Sequence, residues 1–195
     1  MANRSLYDAM EGAWQRLEPR LAAYRLLVPG SPAFICQPEA CTAHCCHAFS
    51  VNLGEPEVDR MALATGRQMV EFLELDEGEP ITLPMAQPYL LARRDGRCRF
   101  LGEGLGCDVY AGRPNACRLY PHFVVFWDEA AQRPLFGGGE DLGASVERVV
   151  AGELGEPLPL LLGHSECPGF TGPPIAERDW RELLQHTYQL QFEAV

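Results

Sequence analysis

The sequence predicts an α+β fold, mainly helical, in which helices at the two ends wrap an irregular, cysteine-rich core carrying short hairpins. Three observations lead there. Apolar residues recur at helical spacing over 4–18 and again over 176–193. The centre of the chain is punctuated by proline and glycine and holds most of the eight cysteines. One strong hairpin signal, Asp95-Gly96, sits among those cysteines. A chain of 195 residues fits a single domain, 1–195, with 31–122 plus Cys167 as the cysteine core and 1–30 and 175–195 as flanking helices.

The elements follow in order. Leu6, Met10, Ala13, Trp14 and Leu17 form one helical face, which Pro19 breaks because it lacks a backbone donor. Leu21, Tyr24 and Val28 continue a helical period to the stop at Pro29-Gly30. Residues 31–50 show too little periodicity for a regular element. Glu55-Pro56-Glu57 reads as a helix start, with proline in the first turn and acids at the positive end of the dipole. Val58, Met61, Ala62 and Thr65 line its face to Gly66, and a second helical set, Met69 to Leu75, follows. Tyr89 to Arg94 and Arg97 to Leu101 read as strands around Asp95-Gly96. Arg113 to Pro121 reads as one helical turn bounded by prolines, His122–Trp127 and Pro134–Phe136 as two strands, and Gly143–Ala151 as a short helix. Residues 152–174 are proline- and glycine-rich, and Ala176–Glu193 closes the chain as an amphipathic helix with Trp180, Leu184, Thr187, Tyr188 and Gln191 on one stripe.

The cysteines carry the chemistry. Cys36, Cys41, Cys45 and Cys46 fall within eleven residues, Cys98, Cys107 and Cys117 follow at short steps, and Cys167 opens a Cys-Pro-Gly turn. Thiols gathered in this way hold either a metal or one another. The opening residues have no apolar run of signal length and carry early acids, which leads us to expect no export and a reducing, cytoplasmic setting. The chain is also long enough to bury a core without staples. A bridge between adjacent Cys45 and Cys46 would be strained. Metal binding is therefore the expectation, with the eight thiols as ligands. Ligation would also order the loop-rich centre, because binding free energy becomes folding free energy.

Spacing leaves the metal open. Structural zinc favours paired knuckles with two to four residues between cysteines, which Cys41 and Cys45 fit and the trio Cys98, Cys107 and Cys117 does not. The eight thiols suffice for two tetrahedral zinc sites, or for an iron–sulfur cluster with four to spare. Adjacent Cys45 and Cys46 suggest a multinuclear site, and the irregular spacing favours iron–sulfur over zinc. His44, His47 and His122 are candidate ligands or donors to ligands, but with this many thiols local hydrogen bonding is the plainer reading.

All sixteen basic residues are arginine. Arg93, Arg94, Arg97, Arg99, Arg113 and Arg118 crowd the later cysteines. Arg113 and Arg118, beside ligand candidates, are expected to donate to sulfur and offset thiolate charge. Arg93, Arg94 and Arg97 read more simply as a hairpin surface. A formal charge of −11 argues against a general nucleic-acid binder, and no stretch is apolar enough to span a bilayer. Gly137-Gly-Gly-Glu-Asp lacks the strand-turn-helix frame of a nucleotide fingerprint, and no catalytic triad or carboxylate pair can be assembled from spacing.

The runs Cys41-Thr-Ala-His-Cys-Cys, Cys98-Arg-Phe-Leu and Cys107-Asp-Val-Tyr-Ala-Gly-Arg-Pro-Asn-Ala-Cys-Arg-Leu-Tyr-Pro resemble the YkgJ family of cysteine-cluster domains, described as zinc- or iron-chelating. The resemblance covers about residues 35–122 plus Cys167-Pro-Gly, and Cys36 is the cysteine that fits its pattern least. It implies a bound metal ion or cluster and no particular protein partner. Flagellin lysine N-methylases carry a similar cysteine pattern, so the resemblance also admits a cluster-dependent enzyme. A structural zinc protein, a metal carrier or a redox sensor acting through a partner are the other readings it admits.

Overall fold

Proline and glycine set the ends of most elements in this chain, and what lies between them divides into two compact units. One comprises 1–36 with 121–195, and the other comprises 37–120. The computed structural model describes residues 4–192, with side chains from Leu6 onward. In chain order the elements are α1 (Arg4–Leu17), β1 (Tyr24–Leu26), β2 (Pro32–Phe34), α2 (His44–Ala48), β3 (Asn52–Leu53), α3 (Glu55–Thr65), β4 (Leu75–Asp76), β5 (Glu79–Pro80), β6 (Tyr89–Leu90), β7 (Arg93–Arg94), β8 (Arg97–Cys98), α4 (Asn115–Leu119), β9 (His122–Asp128), β10 (Arg133–Leu135), α5 (Glu140–Val150), β11 (Leu158–His164), β12 (Phe170–Pro174) and α6 (Glu177–Phe192). Helix and strand are mixed, as expected for α+β. Strand is more prominent than a mainly helical reading anticipates.

The first unit is built on an antiparallel sheet in the order β1-β11-β9-β10. Every residue of β11 is buried. α6 packs on β9, α1 and α5 on β11, and α5 on α6. Leu6, Met10, Ala13, Trp14 and Leu17, the face read from the sequence, are the buried positions among the described side chains of α1. α6 buries Trp180, Leu184, Thr187 and Tyr188 from its predicted stripe. Its expected last residue, Glu193, lies outside the described residues. The pairing of β10 with β9 ends at Phe126, and the Gln191 amide takes over two residues further along. Its oxygen accepts from Val124 N at 2.7 Å and its nitrogen donates to Val124 O at 2.9 Å. The Trp180 indole donates to Leu27 O at 2.7 Å, which ties α6 to the segment after β1.

Two stretches differ from the sequence reading. Tyr24–Leu26 is a strand, not a continuation of the N-terminal helix, because its backbone pairs with Leu162–His164 of β11 and that ladder outweighs the weak helical spacing. Residues 158–164, part of the stretch read only as proline- and glycine-rich with no regular element assigned, form the buried strand β11. Pro159 is tolerated there because β1 reaches only Leu162, so at Pro159 the strand has β9 on one side and no β1 partner on the other.

The second unit has its own apolar cluster, formed by Val51, Leu53, Val58, Met61, Phe72, Leu73, Leu91, Phe100 and Val109. Its strands are two-residue pairs: β3 with β6, β4 with β5, and β7 with β8. α3 starts at Glu55 as predicted. The Glu57 carboxylate turns back to accept from Gly54 N at 2.9 Å, and Gly66 closes the helix in the left-handed region at φ 66°. Asp95 and Gly96 adopt φ 52° and 76°, the two left-handed residues that a tight hairpin turn demands. The expected helix over 69–75 reduces to a 3₁₀ turn at Met69–Glu71. Phe72 O is drawn away to accept from Ala92 N, and Leu75 pairs with Pro80.

Candidate metal centre

Five thiols of the second unit act on one another, and four local devices deliver them. Cys45 and Cys46 lie on α2, whose entry residue Ala43 adopts φ 54° and whose first bond runs from Cys46 N to Ala43 O at 2.8 Å. A left-handed, buried alanine is unusual. It turns the chain sharply and presents adjacent cysteines on one short helical turn.

Cys98 ends β8, directly opposite Arg93 in the register of the hairpin. The glycine-rich loop then closes on itself, with Gly102 N donating to Gly106 O at 2.9 Å. A bridge pairs Leu101 with Cys107, so the chain returns Cys107 to the hairpin. A Cβ on Gly102 would lie 2.5 Å from the Asp108 carboxylate, which explains why glycine stands there. Cys117 sits on α4, where its N–H donates to Pro114 O at 3.0 Å. Cys98, Cys107 and Cys117 all rest against the apolar cluster.

The thiols act on one another. Cys46 hydrogen-bonds to both Cys45 and Cys98. Donation from Cys46 draws the Cys45 thiol down to about 7, helped by the charge of Arg113. The same donation draws Cys98 down to about 7, with Arg93 and Arg99 assisting. Cys46, held between two groups that favour the thiolate, is itself raised. Burial raises Cys107, and it raises Cys117 to about 12, the neighbouring thiols adding to both. The group thus holds two thiols ready to ionise near neutral pH and three that keep their protons until a cation arrives. That is the donor chemistry of a site for a thiophilic metal, whose binding expels protons. None of the eight cysteines is in a disulfide.

The other predicted ligands are placed elsewhere. Cys41 is half-buried at the end of the Pro38–Ala40 turn, upstream of the five. Cys36 and Cys167 belong to the first unit. Phe34 pairs with Phe170 and Ile35 N donates to Gly169 O at 2.7 Å, which brings both cysteines to one end of the β2–β12 ribbon, Cys36 exposed and Cys167 buried. Of the histidines, His44 packs against the rings of Phe49 and Tyr120, and His47 is exposed. His122 lies in the first unit between Phe34 and Phe170.

Arg113 lies beside the thiols, its guanidinium 3.8 Å from the centre of the Tyr110 ring and donating to Cys117 O at 3.5 Å. Arg118 is exposed on α4. Arg93, which the sequence offered only as surface, is the arginine that sequence reasoning missed. It donates to His47 O at 2.6 Å and also to Phe49 O and Gly96 O, so it bolts the first cysteine turn to the hairpin that carries Cys98. The signal was available in the Asp95-Gly96 register, which sets Arg93 across from Cys98.

Among the described residues no helix is long and apolar enough to cross a membrane. A sequence model of the CxxCxxCC family, described as “Putative zinc- or iron-chelating domain”, matches residues 35–136. No curated protein and no solved structure matches the chain.

Proposed function

Because the chain belongs to the CxxCxxCC family of zinc- or iron-chelating domains, we propose that residues 37–120 form a metal-holding module with Cys45, Cys46, Cys98, Cys107 and Cys117 as its principal ligands. The observation that carries this reading is the joining of those five thiols from three separated segments into one interacting group. Single tetrahedral zinc takes four protein ligands at most. A fifth sulfur in the same group favours a multinuclear centre, and an iron–sulfur cluster is the form we favour over zinc. Cys36, Cys41 and Cys167 stay outside this centre in our reading.

The bound group would supply a cross-link between three loop-rich segments and, as a cluster, a one-electron redox couple. The chain's own residues do the rest. Arg93, Arg99 and Arg113 offset thiolate charge at Cys98, Cys45, Cys107 and Cys117. The apolar cluster beneath Cys98, Cys107 and Cys117 excludes water from one side. Thiols held reduced need a reducing compartment, and we propose the cytoplasm. No side-chain arrangement among the described residues favours a methyl-transfer enzyme like the flagellin lysine N-methylases, or a carrier or sensor, over a metal-holding module.

The test is iron, zinc and acid-labile sulfide analysis with an absorption spectrum on protein purified without oxygen. Iron with matching sulfide and a broad band near ~400 nm is expected for a thiolate-held cluster. Zinc without sulfide would replace the cluster with a zinc centre, and neither metal would refute the module.

A further inference from the structure

We infer that Glu57 and Arg60 of α3 are positioning residues of the metal centre, gripping the Arg113–Asn115 segment so that Cys117 and Arg113 face the other thiols. The inference rests on the reading that those thiols hold a metal.

Glu57 is only 3% exposed, and both of its carboxylate oxygens are used. One accepts from Gly54 N at 2.9 Å, at the start of its own helix. The other accepts from Asn115 N at 2.7 Å, on the first residue of α4 and fifty-eight positions away. A helix the length of α4, five residues, cannot hold itself in water, so its place is set by what grips its ends. Arg60, one turn along α3, adds a second hold. Its guanidinium donates to Asn115 Oδ1 at 2.8 Å and to Arg113 O at 3.4 Å, and stands 3.8 Å from Glu57 Oε1.

Thus the two residues flanking Pro114 are both fastened to α3, one through Arg113 O and the other through Asn115. Cys117 lies two residues beyond the fastened Asn115, and the Arg113 guanidinium that assists Cys45, Cys107 and Cys117 projects from the fastened segment. α3 itself offers no thiol. A carboxylate with one oxygen would complete an ordinary helix start at Gly54. The second oxygen spans the unit to α4, which carries a cysteine, and ordinary helix capping does not require that.

The test measures Co(II) binding by the full chain in the reduced, metal-stripped state, following affinity by chelator competition and the thiolate-to-cobalt charge-transfer intensity per bound ion. Glu57→Ala is expected to weaken Co(II) at least tenfold and to lower the intensity per cobalt, because Cys117 no longer reaches the ion. Glu57→Gln, which keeps one acceptor oxygen, should fall between. Val58→Ala, a core truncation on the same helix that leaves the grip intact, is the control for general loosening and should leave the Co(II) affinity and spectrum unchanged. If Glu57→Ala does not fold, Arg60→Ala removes the second hold alone, and about threefold weakening is expected. Unchanged cobalt affinity and spectrum in Glu57→Ala or in Arg60→Ala, or an equal loss in Val58→Ala, overturns the inference. Failure of the unsubstituted chain to bind Co(II) would instead overturn the metal reading beneath it, and the inference with it.

Discussion

Arg93→Ala should loosen the first cysteine turn while leaving most of the second unit intact. The Arg93 guanidinium donates to His47 O, Phe49 O and Gly96 O, and two of these carbonyls belong to the stretch that carries Cys45 and Cys46. α2 has five residues, too few to be stable alone, and none of them is fully buried. Its order therefore depends on external ties. A hydrogen bond from a charged donor contributes about 1.5–3 kcal/mol when shielded and nearer 1 kcal/mol when water can replace it. The acceptors here belong to exposed residues, so the lower figure applies to each. Loss of the two bonds to α2 and its exit then costs roughly 2 kcal/mol, about a 30-fold rise in the local opening constant. Hydrogen exchange by mass spectrometry on the metal-free chain reads this directly. Peptides over 44–50 should lose about that factor in protection, and peptides of α3 should be unchanged. Arg93→Lys, a single point charge without the planar fork, should recover only part. Unchanged exchange over 44–50 in Arg93→Ala would show that the turn is held by its own backbone and by Ala43, and the argument for Arg93 would fall.

Three other outcomes follow from the same geometry. Gly112→Ala places a methyl group 2.5 Å from Ala64 Cβ, so it should force the Tyr110–Gly112 turn off α3 and cost about 1–3 kcal/mol in chemical denaturation; adding Ala64→Gly should restore part of it. Cys46→Ser should lower metal per chain sharply, since Cys46 joins Cys45 to Cys98, whereas Cys41→Ser should leave it near the native value by elemental analysis. His122 has a folded pKa lowered to about 4 from 6.5, by burial first and by the charge of His186 second, and its Nε2 is buried without a hydrogen-bond partner. The unfolded chain takes up this proton more readily. Its contribution is therefore complete above about 6.5 and is lost as pH falls toward 4, roughly 3 kcal/mol in all. His122→Phe should flatten that acid limb, as followed by tryptophan fluorescence; all three tryptophans, Trp14, Trp127 and Trp180, lie in the same unit as His122.

How much could be read from the sequence follows from the range over which each signal acts. α3 and the Asp95-Gly96 hairpin are written locally, in proline and acids at a helix start and in residues that accept a left-handed turn. The cysteine group was legible as chemistry, because thiols in clusters have few other uses. β11 was not, since a strand buried on both faces shows no alternation, and Pro157 before it and Pro159 within it resemble loop punctuation. β1 was misread because three residues are too few for a period of two to compete with an accidental helical spacing.

The contacts that could not be read are those that join distant segments. Spacing along the chain weighed Arg113 and Arg118 equally, because both sit beside a cysteine. The fold separates them: the helical turn of α4 points Arg118 outward, while Arg113 precedes the helix and lies over Tyr110. Arg93 looked like one of several surface arginines until the hairpin register set it opposite Cys98. Glu57 looked like a helix-starting acid, and half of it is. Its other oxygen holds Asn115, a partner that nothing between the two residues announces. The thiols therefore mark where a metal would sit, and in our inference Glu57, Arg60 and Arg93, which contribute no thiol, hold the segments that carry them. A cysteine pattern alone is accordingly a weak guide to affinity in this chain. Two sequences that share all eight thiols and differ at Glu57, Arg60 or Arg93 should differ in metal binding more than two that differ at Cys41.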